Sequence, residues 1–104
     1  MSQFRVYKNA GVNSAHIPYL LDVQNELLEG LETRMVIPLI RESSFKGSGI
    51  STLTPKVDIN GKALFLLTPQ MAGVSRRILV DEVYDLSDFR YEILAAVNLL
   101  VVGF

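Results

Sequence analysis

Catalysis by a small protein needs a constellation: a nucleophile with a base to activate it, or a cluster of ligands that holds a metal. Candidates in this sequence are few. His16 is the only histidine and cysteine is absent, which excludes disulfides and thiolate zinc sites and removes most nucleophile and base pairings. His16 stands near Pro18 in a loop-like stretch and reads as a structural or incidental residue. Asp22, Glu26, Glu29 and Glu32 are close in sequence; carboxylates so grouped can ligate calcium, but their plain reading is a solvated face. Arg76 and Arg77 are adjacent and could touch a phosphate, although two arginines at a strand start are ordinarily surface charge. Gly47 and Gly49 flank Ser48 without forming a phosphate-binding loop, and no basic surface interleaved with aromatics is visible. The expectation is therefore no catalytic residue, no metal and no cofactor.

The remaining chemistry is apolar contact, and it is concentrated at the C-terminal end. After Glu92 no side chain is charged, and from Ile93 to Phe104 only Asn98 carries a polar one. Leu86 to Phe104 reads as one helix running out to a Val102-Gly103-Phe104 tail. Leu86, Phe89, Ile93, Ala96 or Val97, and Leu100 form the stripe that a helix packed on a core requires. Leu94, Val101 and Val102 fall off that stripe, on the side shared with Tyr91, Ala95 and Asn98. A second apolar face must be covered, either within the same domain or by another chain. The run is shorter than the roughly 20 apolar residues that cross a bilayer, and Asn98 would be costly in lipid. The adjacent Leu27 and Leu28, in a polar turn from Asp22 to Gly30, form a second candidate outward patch, because neighbouring side chains seldom point the same way.

The elements that must position these groups can be read along the chain. With 104 residues, 49% hydrophobic and 20% charged, it is expected to be one domain, 1–104, able to bury a core of its own. The net charge of -1 provides no overall field for nucleic acid. The N-terminus begins on an alternating pattern with no secretory run, so the expected location is cytoplasmic. Gln3 to Tyr7 and Ile17 to Val23 read as strands, with a loop from Asn9 to Ser14. Arg34 to Ile40 is a near-continuous apolar run, as in a strand buried on both faces, and Pro38 within it requires a bulge or a change of partner. Glu42 to Thr54 is either a mobile loop or a small satellite hairpin. Lys56 to Ile59 and Lys62 to Thr68 flank Asn60-Gly61, the preferred two-residue hairpin turn. Pro69 opens a helical turn through Gln70, Met71 and Ala72, stopped by Gly73. Arg77 to Val83 reads as a last strand with Ile78 and Val80 inward, and Asp85 or Ser87 as the cap of the final helix. The sum is a mostly β fold: about five antiparallel strands in a bent sheet or partly open barrel, followed by one helix.

Several of these segments, taken together, resemble a known family. Gln3 to Tyr7, Asp22 to Gln24, Arg34 to Leu39, Gln70 to Ala72, Val83 to Ser87 and Asn98 to Leu100 are similar, in order and spacing, to the CcdB toxins over essentially the whole chain; Arg41 to Thr54 matches poorly. The resemblance implies a compact antiparallel sheet, an SH3-like partly open barrel related to CcdB and MazF, with a small β wing and one C-terminal helix, working as a homodimer. It also implies a toxin that binds the A subunit of bacterial DNA gyrase and traps it while DNA is cleaved, without catalysis of its own. A CcdA-like antitoxin would neutralise it, with no direct nucleic-acid or membrane binding. Carried over by position, the gyrase-facing surface falls on Leu27, Leu28, Asn98, Val101, Val102, Gly103 and Phe104. A CcdA-like segment is expected to cover the end of the helix and the Arg41 to Thr54 region.

Two positions depart from the family pattern. Val102 stands where the family has tryptophan, so either Phe104 takes over part of the anchor role or poisoning is lost. Ser75 replaces a proline, so a cis-proline turn is not available there. Two alternatives stay open: a non-poisoning homologue that folds, dimerises and binds antitoxin only, and a MazF-like ribonuclease, for which the chain shows no acid and base pair.

Overall fold

The computed structural model describes residues 3–11, 13–47 and 50–103. Its strands are β1 (Arg5–Lys8), β2 (Tyr19–Asp22), β3 (Thr33–Arg41), β4 (Lys56–Ile59), β5 (Lys62–Leu66), β6 (Ala72–Ser75) and β7 (Glu82–Asp85), followed by the helix α1 (Arg90–Val101). All pairings are antiparallel, in the order β4-β5-β3-β2-β1-β7 with β6 also on β3. The result is a curled half-barrel with one C-terminal helix, as the sequence implied.

The long strand β3 organises the sheet. One of its edges pairs with β2; the other is shared, with Thr33 to Val36 against β6 and Leu39 to Arg41 against β5. Pro38 sits in the gap between those two partners, where the missing N–H interrupts neither ladder. Its carbonyl is used instead, accepting the Leu67 N–H at 2.9 Å. The change of partner expected at Pro38 is thus what the chain does. The hairpin turn is equally direct: Asn60 and Gly61 have φ of 54° and 82°, the pair of positive values that a tight twisted hairpin demands.

Alternation along the strands divides the core in two. Val6, Leu21, Ile37 and Leu39 face α1 and join Val57, Ile59, Leu64, Leu66, Leu86 and Ile93 in the main cluster. Tyr7, Leu20, Val36 and Leu79 form a smaller cluster on the opposite face. That second face also carries Asp22 and Arg34, both fully buried, with Arg34 Nη2 2.8 Å and Nε 2.9 Å from Asp22 Oδ2. Burial pushes the Asp22 carboxyl up, opposed by hydrogen bonds from the Gln24 N–H and from Arg34. Burial likewise raises the Tyr7 phenol.

Four local expectations are corrected. Asp22 does not belong to a solvated acidic face; of the four carboxylates only Glu26, Glu29 and Glu32 are exposed, because Asp22 is the last residue of β2 and still follows its alternation. The helical turn after Leu67 covers Thr68–Gln70 only, and Ala72 and Gly73 pair with β3 instead of ending a helix. Arg77 to Val83 is not one strand: Ser75 Oγ accepts the Arg77 N–H and starts a 3-10 turn at Arg76–Ile78. That turn shifts the phase, so Leu79 is buried while Ile78 and Val80 are exposed, Val80 at 72%. Finally, Asp85 and Ser87 are not the helix caps in the expected sense. Ser87–Phe89 is a 3-10 turn leading into α1, and Asp85 Oδ1 accepts the Ser87 N–H from one residue further out.

The segment whose form the sequence left open, Glu42 to Thr54, contains a 3-10 turn at Glu42–Ser44 and no strand among the described residues. It is held by a Lys56–Glu42 ion pair at 2.8 Å and by Phe45 stacked on Phe65 at 4.2 Å. The paired unit at this edge of the sheet is the β4–β5 hairpin.

Two outcomes follow. Arg34→Ala strands a buried carboxylate and should lower unfolding free energy in urea by about 3–5 kcal/mol, whereas Asp22→Leu combined with Arg34→Met should recover most of that loss. Asp85 is held below the usual 3.8 by its bonds from Ser87, so its contribution is full above about pH 4 and is lost as pH falls through its lowered value. Ser87→Ala should flatten this acid limb in a pH series of thermal melts.

Candidate functional site

Leu27 and Leu28 lie in a 3-10 turn, Glu26–Leu28, that contains no buried residue. Leu27 is 91% exposed and Leu28 51%, so both leucines face outward. The turn is held by polar groups: Asn25 Oδ1 accepts the Leu27 N–H at 2.8 Å, and the Gln24 side chain donates to the Leu28 carbonyl at 3.1 Å. Arg76 Nη1 donates to the Glu29 carbonyl at 3.3 Å, and the Arg76 N–H to the Glu32 carbonyl at 2.9 Å. Arg76 thus has a structural job at the foot of this turn.

The other predicted group sits at the end of α1. Leu86, Ile93 and Ala96 are fully buried and Phe89 and Val97 half-buried, so most of the expected stripe does pack on the core. Leu100, the last member, is exposed, because the helix runs past the sheet's cover at that point. Asn98, Val101, Val102 and Gly103 are exposed. The helix stops where Gly103 takes φ of 97° and its N–H reaches the Asn98 and Leu99 carbonyls, a left-handed turn that glycine enters without strain. Phe104 lies outside the described residues.

Between α1 and the segment around Thr52 runs a groove of about 690 Å³ lined by Thr52, Arg90, Tyr91, Leu94, Ala95, Asn98 and Leu99. Tyr91, Leu94, Ala95 and Asn98 of the second apolar face seen in the sequence line it, with Tyr91 81% exposed, whereas Val101 and Val102 do not. Thr52, Arg90 and Leu99 were not placed there by the sequence. Thr52 is distant in sequence; Arg90 reads as an ordinary charge, but its guanidinium lies over the Phe4 ring at 5.3 Å. Phe4 itself is buried at φ 70°, a conformation that costs a non-glycine residue on the order of 1–3 kcal/mol. Hydrogen bonds hold it there: its N–H donates to the Asp22 carbonyl and its carbonyl accepts the Leu86 N–H.

In one chain these are two separate patches. α1 packs through Ile93 on the core face of the sheet and lies beside Thr68–Gln70, whereas the Leu27–Leu28 turn is tied to Met35 through Gln24 and to Arg76. His16 belongs to neither; its Nδ1 lies 2.9 Å from Ser44 Oγ and its carbonyl accepts the Arg41 N–H. Among the described residues no three His, Asp or Glu side chains gather as metal ligands, and no helix is long and apolar enough to cross a membrane. What the arrangement offers chemically is exposed apolar contact, presented from two rigid supports.

A sequence model of the family described as CcdB protein matches residues 3–103. The chain belongs to the CcdB family. It is accordingly a toxin of the toxin-antitoxin kind. The two patches are displayed at the surface of this CcdB-family fold and contribute little to its core. Leu27→Ser and Val102→Ser should each change unfolding free energy by no more than about 0.5 kcal/mol. Ile93→Ala, in the core, should cost about 2–5 kcal/mol; urea denaturation compares the three.

Proposed function

We propose that this CcdB-family toxin is a non-catalytic poison of DNA gyrase that binds the A subunit and traps the gyrase-DNA cleavage complex. Leu27, Leu28, Asn98, Val101, Val102, Gly103 and Phe104 form its contact surface. The observation that carries this reading is the exposure of leucine and valine side chains at both patches, Leu27 at 91% and Val102 at 57%. A fold of this size that leaves such groups in water retains about 1.5–3 kcal/mol per large side chain to be gained on binding. A homodimer would set two copies of each patch together, giving a double apolar platform fit for a gap between two gyrase arms. No reacting group is required, and the cytoplasm is where gyrase would be met.

A CcdA-like antitoxin would compete for the same end of α1. The groove between α1 and Thr52 supports this, because it joins the helix face to the Arg41 to Thr54 region that such a segment is expected to cover. A partly disordered partner folding onto it could wrap both.

A second reading is favoured by one residue. Val102 presents no π face where the family has an indole, so a chain that dimerises and binds antitoxin without poisoning is the alternative, and Phe104 decides between the two. Gyrase-mediated DNA cleavage with the purified protein, alongside binding to the gyrase A subunit, tests this. Stabilised cleavage is expected. Deleting Val102 to Phe104 should leave a folded protein that no longer stabilises cleavage or arrests growth, and Phe104→Ala should lose most of the effect. Full toxicity of the truncated chain would remove the tail from the contact surface; binding without cleavage would establish the second reading.

A further inference from the structure

We infer that Gln24 is a positioning residue for the gyrase contact: it straps the Leu27–Leu28 turn to the sheet without itself touching the partner. The inference rests on the reading that these leucines meet the gyrase A subunit. The turn needs a strap because it has few internal resources. It spans only Glu26–Leu28, buries no side chain, and closes locally with Leu28 N–H to Asn25 O, Glu29 N–H to Glu26 O and Leu31 N–H to Leu28 O, at 3.0, 3.1 and 3.1 Å, and with the Asn25 Oδ1 cap on the Leu27 N–H at 2.8 Å. A single 3-10 turn with those bonds alone would fray.

Arg76 holds the foot of the turn at the Glu29 carbonyl, and Gln24 ties its leucine-bearing part to β3. Its Oε1 accepts the Met35 N–H of β3 at 2.9 Å and its Nε2 donates to the Leu28 carbonyl at 3.1 Å. The amide can be placed only this way round, because a backbone N–H must face its oxygen and a carbonyl its nitrogen. Behind it, the Gln24 N–H donates to Asp22 Oδ1 at 3.0 Å, and Asp22 is locked by Arg34 with no solvent exposure on either side chain. One residue therefore connects the buried Asp22–Arg34 pair to the turn that displays Leu27 and Leu28. Leucines ordered before binding lose less freedom on docking, so the strap acts on affinity through the turn's order.

Gln24→Glu tests this in the full-length protein, since it keeps the size of the side chain and the acceptor for Met35 but puts oxygen against the Leu28 carbonyl. Affinity for the gyrase A subunit should fall about fivefold to tenfold, the scale of one lost hydrogen bond. Amide exchange at Leu28 and Leu31 should accelerate, while the urea midpoint stays near that of the parent. In a Leu27→Ala, Leu28→Ala background the same change should have no further effect on affinity, because the strap has nothing left to position. Parent-like binding by Gln24→Glu would overturn the inference, as would a loss that persists undiminished in the double-alanine background, which would make Gln24 a direct contact. Gln24→Met, uncharged and of similar volume, is held to the same criteria if Gln24→Glu does not fold. Unchanged binding by the double-alanine variant itself would instead overturn the underlying reading, and this inference with it.

Discussion

The buried Asp22–Arg34 pair is the interaction on which most of this structure depends. A charge pair without solvent must be satisfied by its surroundings or it destabilises them, and here those surroundings are the chain's main junctions. Asp22 ends β2, and its carbonyl takes the Phe4 N–H while its carboxylate takes the Gln24 N–H and two bonds from Arg34. From Phe4 the connection continues to Leu86, before α1. From Gln24 it continues to Leu28. Both apolar patches are therefore built outward from the same residue, one through a strained aromatic and one through a polar strap. Burial of the pair costs both ions their hydration, which the Gln24 N–H and the two Arg34 bonds offset at Asp22.

That design bears on how a toxin of this kind can be small. The main core lies between α1 and one face of the sheet, and the second face closes with only a few apolar side chains around Tyr7 and Leu79. Leu27, Val101 and Val102 are withheld from both cores. In a chain of 104 residues, where surface is large relative to volume, leaving such side chains outside forgoes part of the available burial. The polar network around Asp22 provides order that the missing apolar contacts cannot, and provides it at the base of the exposed turn.

Much of this was legible from residue patterns, and the reasons differ by element. The Asn60-Gly61 hairpin and the partner change at Pro38 follow from backbone rules that tertiary context cannot override: positive φ at two positions, and an absent N–H. The two-faced helix followed from charge vanishing after Glu92. What could not be read depends on where phase resets. Ser75 converts an apparent strand into a 3-10 turn, which reversed the expected burial of Ile78 and Val80 around Leu79. Asp22 looked like one of four solvated carboxylates because sequence proximity hides the fact that it still belongs to β2. Thr52 joins the helix groove from a segment distant in sequence, and no local signal announces it.

The same contrast explains why the exposed apolar residues were easier to name than the residues that hold them. Leu27, Leu28, Val101 and Val102 are visible as excess apolar groups, in a polar turn or off a helix stripe, and excess can be seen in one dimension. Gln24 offers no such signal. Its side chain has an unremarkable composition in a polar stretch, and its importance arises only when Met35 and Leu28 are found on either side of its amide. Apolar contact surfaces can be read from composition, because burial is a property of single side chains. Preorganisation is a property of pairs, so the order of this surface had to be found in the geometry around Asp22.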